Sequence, residues 1–490
     1  MLYTSKNNKN HKKNSKRTIK GGKVIGSGGF GCIFKPALKC KNKDRQNNKI
    51  SKLMKKKYAV KEYSDIKKYK SLLDNIPNYS DYFLIDGFSE CDPDTLTNQD
   101  VDAFDKKCSA LTKMNISAKN VNKNLDLLGT INMPYGGIDV GDYIYHIKFN
   151  YTKMIQLNNS LLKLLTNGII PMNKKHIYHL DIKESNILVE DNLKTNHFYT
   201  RLIDWGLSSM YNGEKSVPTP MHKRPFQYNL PFSIVLFNPD FDKMYSVFLK
   251  ENIDPTFLSI RTFVIKYVLF WINKRGPGHL KTLNSIYKKL FENELDLISD
   301  NYKNDLIEFE YTLYFIFEYI SKILFKYTKN NKLELMDYFS EVYLKNVDIW
   351  GFVMVYVPIV EYLYDDYKNL SKTELSIIDS IKKIILFVLE SCTEPIDIDI
   401  LSKKIGALNE MFSLSKRTRE NVKLNVNNTN SSVKSSVKST SKSNNSILGQ
   451  GLKLDSSSTS SHYYTVSKSL HIIKNKTSKK SKNNKNNKHK

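Results

Sequence analysis

Between His176 and Gly206 two short apolar runs, Ile187 to Val189 and Arg201 to Ile203, flank a polar excursion, and each run has a reactive cluster at one end. Asp181, Lys183 and Asn186 stand before the first run, in His179-Leu180-Asp181-Ile182-Lys183-Glu184-Ser185-Asn186. Asp204 stands after the second, in Leu202-Ile203-Asp204-Trp205-Gly206. Runs of this length read as strands, and a hairpin between them would carry Asp204 back beside the 181–186 loop. No other stretch restricts the fold as tightly, because it demands a paired pair of strands with polar residues gathered at one end. The plain alternative is a surface loop with ordinary Asp, Lys and Asn turn chemistry.

Such a set suits phosphoryl transfer from a metal-bound nucleotide. One carboxylate takes or orients the acceptor proton and an ammonium steadies the moving phosphoryl group. An amide oxygen and a second carboxylate hold Mg²⁺. Upstream, Lys23-Val24-Ile25-Gly26-Ser27-Gly28-Gly29-Phe30-Gly31-Cys32-Ile33-Phe34-Lys35 puts a Gly-x-Gly-x-x-Gly between apolar residues. Glycines let backbone approach phosphates without a clashing Cβ. A dinucleotide fold would need a helix directly after them. Here Cys32-Ile33-Phe34 continues as strand and Pro36 blocks an early helix. Next, Tyr58-Ala59-Val60-Lys61 reads as a strand presenting one ammonium, and Ser64 as the cap of a helix over 65–73. That helix holds no Glu, and no partner for Lys61 is assigned. Leu127 to Met133 reads as a further strand, followed by the turn Pro134-Tyr135-Gly136-Gly137. Residues 152–167 show helical spacing of apolar positions, and helical patterns continue from about Met244 to about Phe412.

In this order the segments resemble eukaryotic-type protein kinases. Residues 179–186 are similar to the catalytic loop His-Arg-Asp-Leu-Lys-x-x-Asn, with Leu180 for Arg and Ile182 for Leu. Asp204-Trp205-Gly206 is similar to the metal loop Asp-Phe-Gly, and Tyr58-Ala59-Val60-Lys61 to the Val-Ala-Ile-Lys strand. Val347-Asp348-Ile349-Trp350-Gly351 resembles the Asp-x-Trp-Ser-x-Gly start of the helix that anchors the large lobe. Composition, the Met133-to-Gly137 turn and Arg224-Pro225-Phe226-Gln227-Tyr228-Asn229 look like the divergent Ser/Thr kinases of giant DNA viruses.

The resemblance implies an α+β bilobal fold with a small β-rich N-lobe over 21–133, carrying a polar loop insertion near 41–57 and a second, mostly polar insertion near 89–125. A large helical C-lobe over 134–412 would follow, with a helical insertion near 240–345. It implies ATP and Mg²⁺ as cofactors, and transfer of the γ-phosphoryl group to Ser/Thr hydroxyls of protein substrates. Ile25, Gly26, Ser27, Gly28, Gly29, Phe30, Gly31, Cys32 and Ile33 would cover the phosphates, and Lys61 would pair with them. Asn186 and Asp204 would hold the metal, with Asp181 as base and Lys183 on the transferred group. Asp348 would accept backbone hydrogen bonds from the catalytic loop. Leu180 removes the Arg that pairs with a phosphorylated activation loop, so activity is expected without that phosphorylation. The alternatives are a pseudokinase scaffold and a small-molecule kinase.

The net charge of +27 suggests a polyanion binder until it is located. Residues 1–24 carry +8 and residues 415–490 carry +15, which leaves +4 on the rest. The arm 1–20 and the Ser/Lys/Asn-rich tail 415–490 read as disordered segments able to touch polyanions without specificity. The Ser and Thr residues of the tail beside Lys are candidate autophosphorylation sites. Five cysteines, Cys32, Cys40, Cys91, Cys108 and Cys392, lack any Cys-x-x-Cys spacing, which argues against a disulfide framework and for a reducing compartment. Without a signal-like apolar run near Met1 or an apolar window long enough to span a bilayer, the expectation is a soluble intracellular protein, in host cytoplasm or virion if viral.

Overall fold

The computed structural model describes residues 22–192, 197–299 and 309–416. The basic arm 1–20 lies outside them, as does the 415–490 tail except for Ser415 and Lys416. Those two residues continue a helix over 408–416, and Ser415 is buried, so the packed chain reaches past the expected limit at 412. The protein is α+β, with a small antiparallel sheet unit and a larger helical unit. The sheet unit ends at Gly137 and also includes Arg201–Gly206. The helical unit holds Ile138–Thr200 and the chain from Leu207 on.

In the sheet unit, strands β1 (Lys23–Ser27), β2 (Gly31–Lys35) and β3 (Lys49–Lys55) are followed by helix α1 (Lys56–Leu73). Strand β4 (Ser89–Cys91), short helices α2 (Phe104–Lys107) and α3 (Ser109–Thr112), and strand β5 (Leu128–Pro134) complete it. The strands run antiparallel in the order β1-β2-β3-β5-β4. Both faces are covered, so β3 buries consecutive residues. Leu53 joins Val24, Cys32, Phe34 and Leu128 on one face, whereas Met54 joins Ile131 and Ala59 of α1 on the other. Gly129 allows α1 to press on β5, since a Cβ there would lie 2.8 Å from the Cβ of Ala59.

Three expectations change here. Only 41–48 is loop in the first insertion, because 49–55 is the central strand. The second insertion is not a polar excursion: its Leu96, Phe104, Leu111, Ile116 and Val121 complete the core beneath β1 and β2. A buried ion pair pins it, with Arg45 bridging to both Asp100 oxygens at 2.7 Å. Four cysteines are also paired, Cys32 with Cys108 and Cys40 with Cys91, leaving Cys392 free and buried. Each bridge ties a strand or its neighbouring loop to chain far away in sequence, so cysteine spacing alone gave no sign of it.

In the helical unit, β6 (Ile138–Asp139) leads into α4 (Val140–His146), capped by the Asp139 side chain, and α5 (Tyr151–Lys163), capped by Asn150. A wide turn, Leu164–Ile169, joins α5 to α6 (Ile170–Lys174). Then come β7 (Ile177–Tyr178), β8 (Ile187–Asn192), β9 (His197–Leu202) and β10 (Ser209–Met210). The last pairs with β7, while β6, β8 and β9 form a second small sheet.

The expected insertion near 240–345 is helical. It consists of α7 (Pro239–Glu251), α8 (Phe257–Arg275), α9 (Leu280–Ser299) and α10 (Glu310–Tyr327), a hairpin of β11 (Thr328–Lys329) and β12 (Lys332–Leu333), and α11 (Leu335–Tyr338). Helices α12 (Leu344–Met354), α13 (Val357–Tyr364), α14 (Lys372–Glu390) and α15 (Ile398–Gly406) follow. Residues 335–364 are the one helical run among the described residues that is long and apolar enough to cross a bilayer. Since 83% of its apolar window is buried inside this unit, it serves as core.

Candidate active site

Helix α12 is the platform of the site in the helical unit, and all its residues but Lys345 are buried. Asp348, fully enclosed, accepts the backbone N–H groups of His179 at 2.8 Å and Leu180 at 2.9 Å. Those donors face inward because Leu180 is left-handed, φ +60°, a conformation that a branched residue holds only under constraint from its surroundings. Burial pushes the Asp348 carboxyl up to about 6 despite the two hydrogen bonds that favour its charge. The Trp350 indole donates to the carbonyl of Tyr228 at 3.0 Å. At Gly351 a Cβ would lie 2.5 Å from the Ile182 oxygen and 3.1 Å from the Asn229 oxygen. One helix therefore seats both the 179–186 loop and the 224–230 segment. Tyr319, on helix α10 of the insertion, packs edge-on against Trp350 from behind.

On that platform the Asp181 carboxylate is almost fully enclosed. Its Oδ2 accepts from Lys183 Nζ at 3.0 Å and Asn186 Nδ2 at 3.0 Å, and its Oδ1 accepts from Asn229 Nδ2 at 2.9 Å. Burial alone would raise its pKa. The Lys183 charge and the Asn229 and Lys183 hydrogen bonds outweigh burial and hold the carboxyl below its ordinary value. Asp181 is thus an ionised, oriented acceptor. Asn186 also donates to the Asp181 carbonyl at 2.8 Å, so its amide oxygen is the end available to a cation. Tyr228 donates to both Glu184 oxygens at 2.7 Å. Beside them lies a hollow of about 300 Å³ lined in part by Asp139, Asp142, Glu184, Glu361 and Tyr145.

The sheet unit carries the remaining expected residues. Ile25, Gly26 and Ser27 end β1; Gly28, Gly29 and Phe30 make the turn; Gly31, Cys32 and Ile33 begin β2. Gly31 is required by the protein itself, since a Cβ would come 2.7 Å from the Leu53 oxygen. A Cβ on Gly26 or Gly29 would meet open space. The bare backbone there leaves the turn open to close approach by another group. Phe30 is 57% exposed, and Ser27 accepts from the Ala110 N–H at 3.0 Å, fastening the turn to the second insertion.

Lys61 does not lie on a strand. It is exposed on α1, which starts nine residues earlier than the expected 65–73 helix and has no side-chain cap at Lys55. Of the three lysines on the central strand, Lys49, Lys52 and Lys55, it is Lys52 that reaches Glu62 of α1, with Nζ 2.7 Å from one carboxylate oxygen and 2.8 Å from the other. The expectation of a helix without Glu fails with the misplaced boundary. Burial raises the Glu62 pKa; Lys52 opposes this and the nearby Asp204 charge adds to it. Lys52, Glu62 and Asp204 therefore share one electrostatic neighbourhood. Asp204 is left-handed, φ +67°. Leu202 bonds backbone to backbone with Tyr82 and Leu84, and Trp205 stacks on Tyr69 of α1 and meets Phe83 edge-on.

Sequence reasoning missed Lys52, Glu62, Arg224 and Asn229 as site residues. For Lys52 no clean signal existed, since Ile50, Leu53 and Met54 do not alternate as a half-buried strand would. Among the described residues no three His, Cys, Asp or Glu side chains gather as a metal cage. Mg²⁺ often takes only one or two protein ligands, with phosphate oxygens and water completing its shell. No family model and no curated protein sequence matches this chain.

Proposed function

We propose that this protein is an ATP- and Mg²⁺-dependent protein kinase that phosphorylates Ser/Thr hydroxyls, as its resemblance to the divergent viral kinases implies. The carrying observation is the Asp181 carboxylate, ionised, held at both oxygens and set two residues from Lys183. On this reading Asp181 orients the acceptor hydroxyl and takes its proton, while the Lys183 ammonium stabilises charge on the transferred group. The β1–β2 turn covers the nucleotide phosphates and Lys52, in place of Lys61, pairs with them. Asn186 and Asp204 would hold Mg²⁺, which neutralises phosphate charge when bound. The closeness of Asp204 to the Lys52–Glu62 pair favours this assignment of Lys52.

The test is transfer of labelled γ-phosphate from ATP to a Ser/Thr-containing basic peptide, comparing wild type with Asp181→Asn. A basic peptide is the first probe because carboxylates line the hollow beside Glu184. Asp181→Asn should lose on the order of 10²–10⁴ in turnover, the worth of a positioned base. Equal rates for the two proteins would refute the proposal, and transfer only to small hydroxylated metabolites would favour a small-molecule kinase.

A further inference from the structure

The 181–186 loop supplies donors to only one oxygen of Asp181. Lys183 and Asn186 both bond Oδ2. The other oxygen is held from a segment more than forty residues away in sequence, through Asn229 Nδ2 at 2.9 Å. From the same segment Arg224 enters beneath the loop. Its Nη1 donates to the Leu180 carbonyl at 3.0 Å, its Nε to Gln227 at 2.8 Å, and its Nη2 stands 3.7 Å from Asp181 Oδ1.

The supporting groups are costly to the fold. Arg224 and Asn229 are 8% and 1% exposed, and Arg224 Nη2 and Asn229 Oδ1 are buried without hydrogen-bond partners. A buried, half-satisfied amide and guanidinium gain little stability over apolar residues of similar size. What both retain is their contact with the loop around Asp181. Each carboxylate oxygen has two acceptor directions. Oδ2 has both filled, whereas Oδ1 accepts one full hydrogen bond and keeps a direction open for an incoming proton. The donor at Oδ1 therefore fixes which way the accepting lone pair points.

We propose that Arg224 and Asn229 are positioning residues for Asp181. They supply from the 224–230 segment a second cation and the donor to Oδ1, because the 179–186 loop, with Leu180 beside the acid, directs both of its own donors to Oδ2. The inference rests on the kinase reading and adds a requirement to it: transfer needs the 224–230 segment seated on Trp350 and Gly351, with no phosphate to recruit it.

The variants are Asn229→Leu and Asn229→Thr, Arg224→Met and Arg224→Lys, each in the full-length chain. Measured are kcat and KM for ATP, with unfolding midpoints alongside. Asn229→Leu and Arg224→Met should each lower kcat roughly ten- to a hundredfold, the worth of one hydrogen bond to a charged group. KM for ATP should stay within about twofold, because neither residue belongs to the nucleotide set. Asn229→Thr, which keeps a donor, and Arg224→Lys, which keeps the charge, should recover part of kcat. Wild-type kcat in both apolar variants would overturn the inference and leave the kinase reading intact. A loss that tracks the unfolding midpoint, without recovery by Thr or Lys, would overturn it as well. Absence of transfer by the wild type removes the kinase reading itself.

Discussion

Replacing Lys52 and Lys61 by Met, one at a time, separates two assignments of the nucleotide-binding ammonium. In Lys52→Met the group 2.7 and 2.8 Å from the Glu62 oxygens is lost, from side chains only 15% and 19% exposed. Breaking a fully buried pair costs about 3–5 kcal/mol. Here the carboxylate keeps some access to water and can take up a proton, which lowers the cost to about 1–2 kcal/mol. Burial already raises the Glu62 pKa against the pull of Lys52, and loss of that pull raises it further. The fold survives in a protein with ordinary stability. On the kinase reading transfer should fall, since a cation directed at phosphate charge is worth about 10²–10³ in kcat/KM. Lys61→Met removes an exposed side chain from α1 and should change stability by no more than about 0.5 kcal/mol. Its transfer rate should equal that of wild type. Initial rates of labelled phosphate transfer across ATP concentrations, with urea unfolding of each variant, give both quantities. Loss of transfer in Lys61→Met with a normal rate in Lys52→Met would refute the assignment.

Gly351→Ala should destabilise the protein by about 1–3 kcal/mol and slow transfer on the order of tenfold, because the new Cβ meets the Ile182 and Asn229 carbonyls and shifts the loop. Unchanged melting and rate would show that α12 is no platform. For Asp348 the folded pKa of about 6 lies above the ordinary 3.8, so between these values the native chain holds a proton that the unfolded chain has released. Its contribution to stability is greatest below the lower value and is lost as pH rises through about 6, by about 3 kcal/mol in all. Urea unfolding across that range should give Asp348→Asn a shallower fall than wild type, and parallel curves would contradict the buried acid. Thiol titration in denaturant without reductant should find Cys392 alone, whereas five reactive thiols would refute the bridges. Their loops span 76 and 51 residues, so in the chain-entropy model each bridge contributes about 4 kcal/mol, and reduction should lower the unfolding midpoint accordingly.

The 179–189 stretch was legible because its chemistry is local. Asp181, Lys183 and Asn186 sit within one loop, so residue types and spacing carry the whole signal. Asp348 was legible only through the resemblance carried by Asp348, Trp350 and Gly351, and the loop backbone provides the donors that a buried acid needs. The strand lysine was misread because both usual cues were absent. Strand β3 is buried on two faces and does not alternate cleanly, while α1 begins without a capping side chain. Tyr58 to Lys61 therefore looked like a strand, although the close packing of Ala59 on Gly129 makes it helix. The insertion 89–125 was hidden similarly, since Leu96, Phe104, Leu111, Ile116 and Val121 follow no single period yet converge on one core.

Arg224 and Asn229 lay beyond sequence reasoning for a deeper reason. Their contact with the loop depends on where α12 puts two chain segments that share no local pattern. Asp348 and Gly351 are three residues apart and so share one helical face. Along it the carboxylate fixes the backbone of residues 179 and 180, and the missing side chain lets residues 182 and 229 come close together. The helix does not touch the Asp181 carboxylate through any of these contacts; it acts by setting backbone heights. Residue types and spacing single out the loop that carries Asp181, but the height of its backbone is set by a buried glycine and a buried acid far along the chain.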